Sequence, residues 1–442
     1  MFGPKVTLAA AALLCATASV NAQALSPLEP SRGIMLGTWC DTAPGKDSPA
    51  AFNQRFGHNA AMVHLAQNLP LEMDKLAPVQ LVDQTNTNAI LYLSVYPTIQ
   101  PNLLTDAQIA AFVNQLSTYT SQGRGVLVRL APEMNGTWQP YGQRPIAFKA
   151  MWAKIVTAVR AVESNRAGVS FVWAPNVGGG YPFDNSMTAA VDPAEFAALD
   201  TNRDGVLTIA DDSYAPFYPG NEFVDWVGLS TYWFGNDYPY ETNDIAIPGY
   251  MNAVIHGAAA GGKGPDFYGI YADGNNKPFF VTESGAAFHQ YKIASPAAPA
   301  QVAPVPVGGG ALAIKQSWWR QYLTNTTFLA AHPRLKAISL FEWVKAEETT
   351  MRDFQVTADP AILAALKADF NQPAVLSRYF FASPANIQTD PGAPPVTTSP
   401  GPANAGGGAA GAAPPKNAAY AFSASALNIV GSAIMGAFAL FL

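Results

Sequence analysis

The chain has 442 residues, of which 49% are hydrophobic, 11% aromatic and only 13% charged, enough apolar material for one large core. Its 25 Lys and Arg against 31 Asp and Glu give a net charge of −6, with no basic cluster of the kind a phosphate backbone needs. Nucleic acid is thereby excluded as a partner, and a neutral or weakly acidic one is compatible.

Lys5, the apolar stretch 6–16 and the small residues Val20-Asn21-Ala22 read as a secretory leader over residues 1–22. Its removal takes Cys15 and leaves Cys40 as the single thiol, so the secreted chain has no intramolecular disulfide and depends on its core. Cys40 has no histidine motif beside it and is expected to be buried and unreactive.

From residue 33 onward, apolar runs alternate with helical patterns. The runs expected as strands are 33–39, 61–65, 89–96, 125–129, 169–175, 224–232, 279–283 and 338–344. Between them, Thr105 and Gln108 form a capping box ahead of a helical pattern over 109–119. Phe148, Met151, Trp152, Ile155, Val159 and Val162 recur at helical spacing. Eight βα units predict an α/β fold, a closed (β/α)8 TIM barrel, over residues 23–385. The segment 286–310, with Pro296, Pro299, Pro304, Pro306 and Gly308-Gly309-Gly310, reads as a long irregular rim loop.

Two of the strand runs end in glutamate: Arg129-Leu-Ala-Pro-Glu133-Met-Asn135-Gly136-Thr-Trp138 after strand 4, and Thr282-Glu283-Ser-Gly285 at strand 7. In a parallel barrel both carboxyl ends lie on one rim, so the two acids can face each other across the mouth. Opposed carboxylates suit glycosidic bond cleavage, where one acid must be protonated and the other ionised. Trp39, Tyr96, Trp173, Trp233 and Trp343 also fall near strand carboxyl ends. Aromatic planes stack on the C–H faces of sugars, so a rim of this kind suits a polysaccharide cleft.

Between strands 5 and 6, residues 200–211 have EF-hand-like spacing. Asp200, Asn202, Asp204, the Val206 carbonyl and Asp211 stand at ligand positions, with Gly205 at the turn, which predicts a structural calcium ion. No cofactor is expected for catalysis. Of the two Asn-x-Ser/Thr sequons, at Asn135 and Asn325, only the latter is expected on the barrel exterior. Residues 386–417 are rich in Pro, Gly and Ala and read as a stalk. Residues 418–442, ending in an uncharged apolar run, read as a glycolipid (GPI) anchor signal, with attachment near Asn417-Ala-Ala419 or Gly411-Ala-Ala413. The expected protein is a secreted monomer held on the cell surface or wall, touching the membrane only through its anchor.

The Arg129 to Trp138 stretch resembles the acid/base signature of glycoside hydrolase family 26, the β-mannanases, and Thr282-Glu283-Ser-Gly285 resembles its nucleophile strand. The resemblance implies a retaining (β/α)8 hydrolase with Glu133 as acid/base and Glu283 as nucleophile. Substrate contacts on a mannan-like or related β-glycan are expected from Arg129, Asn135, Trp138, Tyr232, Trp39, Trp173 and Trp343. Where that family carries His directly before the acid/base, this chain has Pro132, which has no side-chain hydrogen bond to offer. Two other functions use the same residues: a surface barrel that binds glycan without cutting it, and a wall transglycosylase. The anchor reading predicts that a phosphatidylinositol-specific phospholipase releases the protein from membranes; retention with residue 442 still attached contradicts it.

Overall fold

The structure is a computed structural model that describes residues 25–72, 78–183, 186–258 and 264–384. The expected leader, stalk and anchor signal lie outside those residues. Among the described residues, no helix is long and apolar enough to cross a membrane.

The strands, in chain order, are β1 Ile34–Cys40, β2 Met62–Leu69, β3 Ile90–Pro97, β4 Val126–Leu130, β5 Val169–Trp173, β6 Trp226–Trp233, β7 Phe279–Ala286, β8 Phe288–Ser295, β9 Ala298–Pro304, β10 Leu335–Glu342, β11 Val344–Glu347, β12 Thr350–Asp353 and β13 Tyr379–Phe380. β1 to β7 run parallel in sequential order, and β10 lies between β7 and β1 and closes the ring. This is the (β/α)8 barrel, and all eight expected strands are in it.

Helices cover the outer face for identifiable reasons. Asp106–Ser121 starts at Thr105, whose side chain and that of Gln108 form both halves of the capping box. Pro145–Arg160 has no cap of its own. The Glu195 carboxylate supplies one from elsewhere in the chain, accepting from the backbone N–H of Ile146 at 2.8 Å and of Ala147 at 3.0 Å. Phe148, Met151, Trp152, Ile155 and Val159 are buried against the strands, and Val162 packs at the edge of the same core.

Inside the barrel the layers change character from bottom to mouth. Met35, Met62, Tyr92, Leu127, Val172, Trp226 and Phe280 fill the lower layer. Above them His64 lies between the rings of Trp39 and Tyr92, at 4.1 and 4.0 Å, with Nε2 2.7 Å from Ser94 Oγ. Burial, with Arg129 nearby, holds its pKa well below the usual histidine value, so it stays neutral under a buried cation. Cys40 is buried and burial pushes its thiol well up, as expected of an unreactive cysteine.

The segment expected as an irregular rim loop is ordered β structure. β8 and β9 form a hairpin that joins β12 and β11 in a four-stranded antiparallel sheet. β9 is the outermost strand and is exposed along nearly its whole length, where Pro299 and Pro304 cost no ladder bond. Fully buried Arg352 of β12 ties this sheet to the barrel: it pairs with Glu347 and Glu348 and lies over the Phe234 ring at 5.3 Å.

Candidate active site

The site begins with Arg129, whose inward side chain on β4 is completely buried. The chain then turns sharply through Ala131, Pro132 and Glu133, with Ala131 at φ 43° and Glu133 at φ 58°. Left-handed backbone at non-glycine residues is unfavourable by about 1–3 kcal/mol each and persists only where surrounding bonds dictate it. Those bonds are Ala131 N–H to Val95 O at 2.8 Å, Glu133 N–H to Ala174 O at 2.9 Å and Tyr141 Oη to Pro132 O at 2.8 Å. The turn aims Glu133, 5% exposed, at the barrel axis.

Glu283 arrives by another device. Against β6, the β7 register slips between Leu229↔Val281 and Ser230↔Glu283, a one-residue bulge at Thr282. Gly228 accommodates it: a Cβ there would stand 2.4 Å from Phe280 O and 2.6 Å from Thr282 Cγ2. The bulge turns Glu283, 2% exposed, onto Arg129.

One guanidinium therefore serves both acids. Arg129 Nη1 donates directly to Glu283 Oε1, while Nη2 donates to Ser230 Oγ at 2.6 Å and stands 3.6 Å from Glu133 Oε1. Tyr232 Oη donates to Glu283 Oε2 at 2.7 Å. Glu283 thus receives two strong donors and Glu133 a looser charge contact. Burial is the largest influence on Glu133 and pushes its pKa up to about 7; Arg129 pulls against that shift and Glu283 adds to it. A proton-holding acid beside a charge-paired carboxylate is the arrangement of an acid/base and nucleophile pair.

The other expected site residues divide. Trp39 and Trp343 meet at 6.0 Å and join Phe341 and Tyr232 in one aromatic cluster at the β1/β10 side of the mouth. Trp173 does not belong to it. It points outward from β5 into the core between Tyr218, Phe267 and Tyr271 and is fully buried. Asn135 is also fully buried, with its amide donating to Asn176 O and accepting from Asn176 N–H, both at 2.8 Å, so it clamps the β4 and β5 loops together. Trp138 lies back over Gly136 of its own loop and packs edge-on against Phe183, half-buried.

Sequence reasoning missed Ser230 and Tyr141. Ser230 had a signal, since Gly228, Ser230 and Tyr232 alternate along β6. Tyr141 had none, because its role comes from a loop folding back on Pro132.

The expected calcium ligands share one tight loop. Asp200 accepts from the N–H of Asp204 and Gly205 at 3.1 and 2.9 Å, and Asp204 from Val206 N–H at 2.9 Å. Asp211 accepts from Thr201 N–H at 2.8 Å and Thr208 N–H at 2.9 Å, and Asn202 is tied to Asp204. Among the described residues, no three acidic, histidine or cysteine side chains converge on a common point. The loop is closed by its own hydrogen bonds.

No protein-family model and no curated protein matches the chain. Several solved structures are similar. A double mutant of Cellulomonas fimi endo-β-1,4-mannanase is 17% identical, with TM-score 0.46 over 80% of this chain and 73% of that one. A modular endo-β-1,4-mannanase from the same organism, of glycoside hydrolase family 26, is 16% identical, with TM-score 0.45 over 80% and 75%. The family 26 endo-β-1,4-mannanase catalytic domain of Bacillus sp. JAMB-750 is 16% identical, with TM-score 0.43 over 79% and 88%. The likeness is one of chain trace.

The calcium reading of residues 200–211 predicts that chelation lowers the melting temperature; an unchanged one contradicts it. Asp211→Ala, which removes a charged acceptor from the backbone N–H groups of Thr201 and Thr208, lowers stability by about 1–3 kcal/mol in a thermal or denaturant melt.

Proposed function

We propose that this protein is a retaining glycoside hydrolase acting on a β-linked polysaccharide of mannan-like or related type, with Glu133 as acid/base and Glu283 as nucleophile. The observation that supports this most is Arg129 held between the two acids at the barrel mouth, Glu133 retaining its proton to about pH 7 and Glu283 paired with two donors. In the first step Glu133 gives its proton to the glycosidic oxygen as the Glu283 carboxylate attacks the anomeric carbon, forming a glycosyl-enzyme. In the second, ionised Glu133 removes a proton from water, which displaces Glu283 and restores the original anomeric configuration. Tyr232 remains a donor throughout, because burial and the neighbouring Glu283 raise its phenol pKa well above the usual value. Half-buried Trp343 offers an apolar face on which a sugar ring rests, with Trp39 and Phe341 packed against it.

Glu133→Gln is expected to lower turnover on the true polysaccharide by about 10²–10⁴-fold, and Glu283→Ala to remove it, with the barrel still folded. NMR of the first product anomer should show retention. Inversion, or wild-type turnover in either variant, contradicts the assignment, and chain-lengthened products would mark transfer in place of hydrolysis.

The raised Glu133 pKa gives two pH predictions. kcat/KM falls as pH rises through about 7, because the proton donor is lost. Between the ordinary value of 4.5 and about 7, the folded protein holds a proton that the unfolded chain has released, so stability falls as pH rises across that window. Glu133→Gln removes this contribution, and denaturant melts of the variant should show a shallower loss over the same range.

A further inference from the structure

His256 and His332 meet on the outside of the barrel, away from the carboxylates. His256 closes the helix Tyr250–Ile255 and His332 closes the helix Thr326–Ala331. Their Nε2 atoms face each other at 3.1 Å. The opposite nitrogens are both committed to acceptors: His256 Nδ1 to Asp266 Oδ1 at 2.9 Å, and His332 Nδ1 to the Phe328 carbonyl at 2.7 Å. Asp266 is itself fixed, since Oδ1 also accepts from Gly269 N–H at 2.8 Å, and the Tyr268 ring packs beside both imidazoles.

Proton counting makes this pair unusual. A neutral imidazole has one N–H, and here each is spent at Nδ1 on an oxygen acceptor. Two Nε2 lone pairs therefore confront each other, which is unfavourable unless a cation lies between them: a shared proton or a metal ion. Two nitrogens bound at about 2.0–2.1 Å on a tetrahedral ion stand about 3.3 Å apart, close to the spacing present. Imidazole ligands also characteristically donate the other N–H to a carboxylate or a backbone carbonyl, and this pair does one of each. A groove of about 710 Å³, lined in part by Asn252, Asn325, Phe328 and His332, gives access from solvent.

We infer that His256 and His332 form a binding site for a borderline transition-metal dication such as Zn²⁺, with Asp266 and the Phe328 carbonyl orienting the two imidazoles and water completing the shell. The ion pins the two helix ends together and takes no part in glycan chemistry.

The test is calorimetric titration of zinc chloride into the untagged, chelator-treated protein. One ion per chain is expected. His256→Gln, whose half-exposed side chain makes it the milder change, and His332→Gln should each weaken binding by at least about tenfold, and Asp266→Asn by about 10–100-fold. Melts without metal check that each variant is folded. If the wild type takes up no zinc, the pair holds a shared proton and the inference fails. It fails equally if His256→Gln binds like wild type, because the ion then sits elsewhere.

Discussion

The site depends on a single buried guanidinium. Arg129 has no exposure and must be neutralised where it sits, because an unpaired buried cation is prohibitively costly. Two carboxylates stand within reach, one more than charge balance requires. With Glu283 ionised and Glu133 protonated, the three groups sum to zero; ionising Glu133 as well would leave a net negative charge in a poorly hydrated pocket. The division of roles follows from that balance. Glu283 has the closer contact with Arg129 together with the Tyr232 hydroxyl, while Glu133 has only a 3.6 Å approach to the guanidinium. The acid that is left over keeps the proton.

Two local distortions make the arrangement possible, and both occur at strand ends. On β4 the chain holds left-handed backbone on either side of Pro132 so that Glu133 turns inward. On β7 the bulge at Thr282 lets Glu283 face Arg129, at a point where Gly228 leaves room. Strain and irregularity concentrated beside the two paired acids are what a barrel supplies when its closed ring of strands holds the rest of the backbone fixed. Pro132 therefore has a conformational part to play where a histidine would offer a hydrogen bond. The fold pins it by its carbonyl to Tyr141.

Much of this was legible in the chain. All eight barrel strands, the capping box at Thr105 and the two strand-terminal glutamates could be read from apolar runs and spacing, because those features are local. What could not be read depended on which way a residue faces or on what lies opposite it. β5 is buried on both faces, so its pattern does not say whether Trp173 points to the mouth or to the helices, and it points to the helices. Asn135 belongs to the stretch that resembles an acid/base signature, yet its amide is bonded to Asn176, forty-one residues away in sequence. The hairpin of β8 and β9 was hidden by its prolines, which an edge strand tolerates and a sequence pattern penalises. The 200–211 loop has metal-ligand spacing, and the backbone N–H groups that its carboxylates also hold are not visible in that spacing.

The central claim is that one particular carboxyl group in the barrel mouth stays protonated to near neutrality while its partner, a guanidinium apart, carries the charge. Carbon-13 NMR of glutamate side-chain carboxyls, followed across pH in the intact protein, measures this directly. The account predicts a resonance with a midpoint near 7 that disappears in Glu133→Gln. Burial raises Glu348 to about 7 as well, so the Glu133 signal is the one absent from the Glu133→Gln spectrum; its titration below about pH 5.5 in the wild type would contradict the account.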